Sequence, residues 1–126
     1  MDSLRVHLDG GPGSAAAARI ALREAEFVDG LPESVRIDLE LLVTELVSNG
    51  VRHAQAEDLT LGVEREAGRL RVRCWDDGPG FERAPRRPSV IGHGGFGLML
   101  VDRLADRWGV DRLAPEGCCV WFELAA

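Results

Sequence analysis

The chain predicts an α+β fold, a two-layer sandwich with its helices on one face of a largely antiparallel sheet. Three observations carry that expectation. Two alternating runs, Leu59/Leu61/Val63 and Leu70/Val72/Cys74, flank Ala67-Gly68 and read as a β-hairpin. Ahead of them, Leu39, Leu42, Val43, Leu46 and Gly50 fall on one stripe at helical spacing. The predicted order of strand, two helices, hairpin, loop, helix and hairpin then segregates helices from strand pairs, unlike the alternation of a parallel α/β sheet.

Leu4-Arg5-Val6-His7-Leu8 alternates and predicts a short first strand that ends at Asp9-Gly10-Gly11-Pro12-Gly13. Ser14 is the expected N-cap of an alanine-rich helix running to about Val28, closed by Asp29-Gly30. Pro32 sits at or near the first turn of a second helix, where its missing N–H costs nothing. That helix extends to about Ala54. In the second arm of the hairpin, Arg69, Arg71 and Arg73 alternate with the apolar residues, setting a cationic face against an apolar one. Residues 77–95, rich in glycine, proline and arginine, read as a loop, and loops of that length inside small domains are usually functional. A third helix is expected from Phe96 to about Arg107. Val110 and the run Cys118–Leu124 then form closing strands around Pro115-Glu116-Gly117. At 126 residues, with no internal repeat or linker, residues 1–126 are expected to form one domain.

Composition narrows the function classes. A formal net charge of −6 argues against indiscriminate nucleic-acid binding, which wants a basic patch. No run approaches the ~18 apolar residues of a membrane span, so no membrane partner is expected. Cys74, Cys118 and Cys119 are odd in number and form no C-x-x-C pair, which suggests neither a zinc site nor a disulfide framework and fits a reducing cytoplasm. All 15 basic residues are arginine. Without lysine, neither a P-loop nor the strand lysine of common eukaryotic protein kinases can be built. Any bound nucleotide is held by backbone amides, a side-chain amide, carboxylates and arginine.

Three segments carry chemistry. Strand parity turns Asp76 inward with Leu70, Val72 and Cys74, at the end of its strand. Two readings stand open: Asp76 caps the turn at Gly78–Gly80, or it accepts a hydrogen bond from an adenine amino group while those glycines let the backbone approach the base. On the long helix, Glu45, Asn49 and His53 are spaced i, i+4, i+8 along one edge of the apolar stripe. They form either a solvated hydrogen-bonded ladder or a site in which the Asn49 amide oxygen meets Mg2+ and Glu45 acts as general base. Finally, Gly94-Gly95-Phe96-Gly97 opens a helix, whose free N–H groups make a ready anion site. Its match to the dinucleotide fingerprint lacks the required βαβ context.

In this order, Glu45-Leu46-Val47-Ser48-Asn49-Gly50-Val51-Arg52-His53-Ala54, Asp76-Asp77-Gly78-Pro79-Gly80-Phe81 and Gly94-Gly95-Phe96-Gly97-Leu98-Met99-Leu100-Val101 resemble the GHKL ATPases. Within that superfamily the chain is similar to small histidine-kinase-like ATPases typified by bacterial anti-sigma-factor serine kinases. The resemblance implies the Bergerat fold: a mixed, mostly antiparallel sheet backed by three helices, with ATP bound between helices and a mobile lid. It implies Glu45 as catalytic base and Asn49 as Mg2+ ligand. Asp76 becomes the adenine contact, Gly78 and Gly80 the turn beneath the base, and Gly94, Gly95 and Gly97 the phosphate cradle. His53 and Leu98 join as further nucleotide-site residues. Position 50 departs from the pattern, with glycine where alanine is usual, and Phe96 fills a slot often held by arginine or tryptophan.

The length leaves no room for the phosphoacceptor hairpin of a sensor kinase or for a gyrase-type transducer domain. The expectation is therefore a cytoplasmic ATP-binding domain that phosphorylates a serine or threonine of a separate anti-sigma-factor antagonist. A sigma factor is a further possible partner, and a homodimer is a possible assembly. Arg83, Arg86 and Arg87 either stabilise the transferring phosphate or simply solvate a loop. The rival expectation is a non-catalytic ATP-binding module that sequesters a partner.

Overall fold

A computed structural model describes residues 2–53, 58–76, 96–112 and 117–126. β1 (Asp2–Leu8) leads into α1 (Ser14–Glu24), the single turn α2 (Glu26–Asp29) and the long α3 (Glu33–His53). β2 (Leu59–Glu66) and β3 (Arg69–Asp76) follow, then α4 (Phe96–Leu104), β4 (Arg107–Arg112) and β5 (Cys118–Ala125). The five strands form one sheet in the order β1-β2-β3-β5-β4.

Among the described residues every pairing is antiparallel, in keeping with the expected mostly antiparallel sheet and without the parallel pair that a mixed sheet would add. The physical reason lies in the last crossover. β3 and β4 run the same way, but β5 returns between them, so no two parallel strands become neighbours. The β2–β3 hairpin turns through Ala67 (φ 54°) and Gly68 (φ 75°), two left-handed residues as a two-residue type I′ turn demands.

One face of this sheet is sealed by the helices. Leu61, Val63, Leu70, Val72, Val120 and Phe122 are buried against Leu39, Leu42, Val43, Leu46 and Val47 of α3. Alanine content lets α1 come close: Ala18 is fully buried, and at the α1–α3 seam Arg19 donates to Thr44 Oγ1 (3.2 Å) while Arg23 pairs with Glu40 (2.6 Å). Val101 anchors α4 in the same core.

Three local expectations change. Ser14 is the first helical residue rather than the cap; its hydroxyl donates to Asp9 Oδ1 (3.2 Å), which also accepts the Gly11 N–H (2.7 Å). The first helix stops at Glu24 because Ala25 is extended, and a separate turn then buries Val28. α4 ends at Leu104 because Asp106 draws the chain into the sheet: its N–H donates to the Glu123 carbonyl (2.9 Å) and its carboxylate accepts the Ala125 N–H (2.7 Å).

Candidate nucleotide-binding site

The second half of α3 carries the residues of interest. Leu46, Val47 and Gly50 are buried, and Asn49 is drawn in with them, at 2% exposure, while Glu45 one turn earlier stays half-buried. Among the described residues the Asn49 Oδ1 has no hydrogen-bond partner. A carbonyl oxygen buried without a donor costs roughly 1–3 kcal/mol. A neutral, hard oxygen donor held in that way fits a Mg2+ ligand, and a ligand set completed by nucleotide phosphates is usual for that ion. Among the described residues, no three His, Cys, Asp or Glu side chains come together to hold a metal without such help.

Asp76 closes β3, facing inward at 5% exposure as its parity requires. It pairs with Leu59 on one side and Cys118 on the other. Leu59 links it to α3, because a Cβ built on Gly50 would touch the Leu59 methyls at 3.4 and 3.5 Å. The helix turn bearing Asn49 therefore lies over the strand ends bearing Asp76. Burial, and secondarily the Asp76 charge, pushes the Cys74 thiol up to about 12. Burial, with Asp111, lifts the Cys119 thiol to about 11. Both remain protonated near neutrality; Cys74 belongs to the helix-side core, whereas Cys119 pairs with Trp75 and lies on the opposite face of the sheet.

Gly97 and Leu98 fall in the first turn of α4, which packs against α3 and so brings its N-terminal amides to the same helix layer. His53 is the last residue of α3. Gly78, Gly80, Gly94 and Gly95 lie outside the described residues, as do Arg83, Arg86 and Arg87. A groove of about 460 Å3 sits elsewhere, between α1, α2 and the first half of α3, lined by residues such as Leu22, Val28 and Thr44. Sequence reasoning missed a cluster on the other side of the sheet, where Glu123 is buried under Arg69, Arg71 and Arg107. Strand parity from Trp121 to Glu123 was the available signal.

Residues 10–124 match the histidine kinase-like ATPase domain family. The chain belongs to that family. Among relatives of this histidine kinase-like ATPase, a serine-protein kinase RsbW from Listeria innocua is 26% identical over 120 residues, covering 83% of this chain and 76% of that protein. The RsbW kinase of Listeria monocytogenes is 28% identical with the same coverage. A crystal structure of the RsbU and RsbW domains of a Mycobacterium tuberculosis protein superposes with a TM-score of 0.75 at 21% identity, covering 99% of this chain; the chain spans 32% of that longer protein. A structure of the SiaB–SiaC complex from Pseudomonas aeruginosa gives a TM-score of 0.73 at 12% identity, covering 96% of this chain and 88% of that one. At such identities the two structures establish a shared fold alone. Among the described residues, no helix of this family member is long and apolar enough to cross a membrane.

Proposed function

We propose that this histidine kinase-like ATPase is a cytoplasmic regulator that transfers the γ-phosphoryl group of ATP to a serine or threonine of a small anti-sigma-factor antagonist protein. The observation that carries the reading is the buried amide oxygen of Asn49, which meets no donor among the described residues, one turn from the half-buried carboxylate of Glu45. In this reading Asp76 accepts from the adenine amino group, and the amides at Gly97 and Leu98 face the phosphates. Gly78, Gly80, Gly94, Gly95 and His53 complete the nucleotide site. Asn49 would hold Mg2+, which supplies charge neutralisation on the phosphates when bound. Glu45 takes the proton from the attacking hydroxyl as the new P–O bond forms and the bond to the β–γ bridging oxygen breaks, releasing ADP. A sigma factor as second partner and a homodimer as the assembly belong to the same proposal. Support comes from the family and from the two Listeria kinases.

The test is incubation of the purified protein with γ-labelled ATP and Mg2+, alone and with candidate antagonists. Label is expected on the antagonist. Glu45→Ala is expected to abolish that transfer and to change ATP affinity by no more than a few-fold, because a general base acts in the transition state. ATP binding without transfer by the wild type would leave a sequestering module instead. Wild-type transfer by Glu45→Ala would remove Glu45 from the mechanism.

A further inference from the structure

Among the described residues the sheet has two unpaired edges, β1 and β4. An open edge presents a row of free N–H and C=O groups, a template for another strand. Along β4 the side chains alternate between the two faces. Arg107, Gly109 and Asp111 stand on the face away from the helices, in register with Glu123, Trp121 and Cys119. Trp108 and Val110 stand on the helix side, opposite Phe122 and Val120. Within one chain this strand is left incomplete. Val110 is 42% exposed although it continues a core row. Asp111 has no ion-pair partner among the described residues. Arg107 reaches Glu123 at 3.6 Å, a carboxylate that Arg71 holds more closely, with its Nε at 2.8 Å.

The order of these residues is self-complementary. An antiparallel pair of β4 strands with its two-fold axis at Gly109 sets Arg107 opposite the partner's Asp111, Trp108 opposite the partner's Val110, and the two glycines opposite each other. We infer that β4 is the edge through which a second copy of this chain docks, joining the two sheets into one. Parity keeps both faces consistent across the axis. Opposite charges and an aromatic against a β-branched side chain are favourable cross-strand pairs, and the two-fold makes each of them twice. Charges usually blunt an edge; about this axis they become pairs. Glycine inside a strand commonly marks the close approach of another backbone. Its outer side is already filled, since a Cβ on Gly109 would come within 2.9 Å of the Trp121 ring. The other edge offers no such register. On β1 a two-fold at Arg5 opposes two guanidiniums, one at Val6 sets Arg5 against His7, and one at Leu4 sets Asp2 against Val6. The pairing through β4 rests on the homodimer proposed above and gives it a surface.

The test is sedimentation velocity on the full chain over a concentration series, with hydrogen exchange read along β4. The wild type is expected to dimerise as concentration rises, and exchange at the β4 amides to slow with it. Asp111→Arg and Arg107→Asp are each expected to weaken the dimer by about tenfold or more, because each sets like charges across the axis. Mixing the two variants is expected to restore it, since a mixed dimer pairs opposite charges at both sites. Thermal melts check that the variants fold; if either does not, exchange in the wild type decides alone. A dimer that neither variant weakens, or β4 amides whose exchange does not slow, would overturn this pairing and leave the homodimer to another surface. A monomer at every concentration would overturn both, with label transfer to an antagonist still testing the kinase reading separately. Protection of β4 only by an added antagonist protein would give the edge to that partner and overturn the second copy as its occupant.

Discussion

A donorless amide oxygen inside a hydrophobic stripe works against folding, by roughly 1–3 kcal/mol, and asparagine is also a poor helix former. Among the described residues no donor reaches the Asn49 amide oxygen, so Asn49 combines both penalties within α3. Its neighbour Gly50 adds another weakness, since glycine in a helix interior is about 1 kcal/mol worse than alanine. The space for a methyl exists, with the Leu59 methyls 3.4 and 3.5 Å from the added carbon, which is ordinary contact. Gly50→Ala is therefore expected to raise stability by up to about 1 kcal/mol and leave ATP affinity unchanged. A thermal melt checks it, and a lowered midpoint would mean that α3 cannot tolerate the added methyl against β2. Asp76→Asn is expected to weaken ATP binding by roughly 1.5–3 kcal/mol, the range for a hydrogen bond to a charged group. Guanine nucleotides, lacking the adenine amino group, are expected to lose less. Calorimetry with both nucleotides decides it, because equal losses would make Asp76 a strand-end residue with no part in base recognition.

At the scale of elements, the β3–β5 pair makes its own electrostatic prediction. Glu123 is 1% exposed, and its carboxyl is held below the usual carboxylate range by the hydrogen bond from Arg71, against the opposing effect of burial. A depressed folded-state pKa gives stability that is present above the ordinary value of 4.5 and lost as pH falls through the folded value. Glu123→Gln is expected to cost about 1–3 kcal/mol at neutral pH and to flatten the acid limb of the stability profile. Urea melts across that range measure both effects, and an unchanged acid limb would show that Glu123 does not titrate with unfolding. Alternation alone made the strands legible, and helical spacing did the same for α3. The break at Ala25 was not legible, because alanine is the best helix former and nothing in the sequence marks it as extended. Nor was the Glu123 cluster as a whole, since its arginines come from β3 and β4, two stretches that only the strand register brings to Glu123. For the site, parity turned Asp76 inward and spacing aligned Glu45 with Asn49. Their nearness depends on Gly50 packing on Leu59, a tertiary contact with no local signature.

Across the whole molecule, helices and sheet divide the work. The helix layer covers one sheet face and ends with Asn49 over Asp76, whereas the opposite face carries the arginines and indoles. The match over residues 10–124 makes the chain a histidine kinase-like ATPase domain, and the proposed site puts its nucleotide at that layer. The absence of lysine then leaves amides, carboxylates and arginine to do the binding. An amide oxygen is a weak ligand by itself, so the metal is expected to bind together with the nucleotide phosphates and not before them. The most direct test of this account is calorimetric titration with ATP, with and without Mg2+, on the wild type and on Asn49→Ala. The account predicts that Mg2+ tightens ATP binding to the wild type, and that Asn49→Ala loses this enhancement while largely keeping its metal-free affinity. Full Mg2+ enhancement in Asn49→Ala would contradict it, because the metal would then be held without the buried Asn49 amide oxygen.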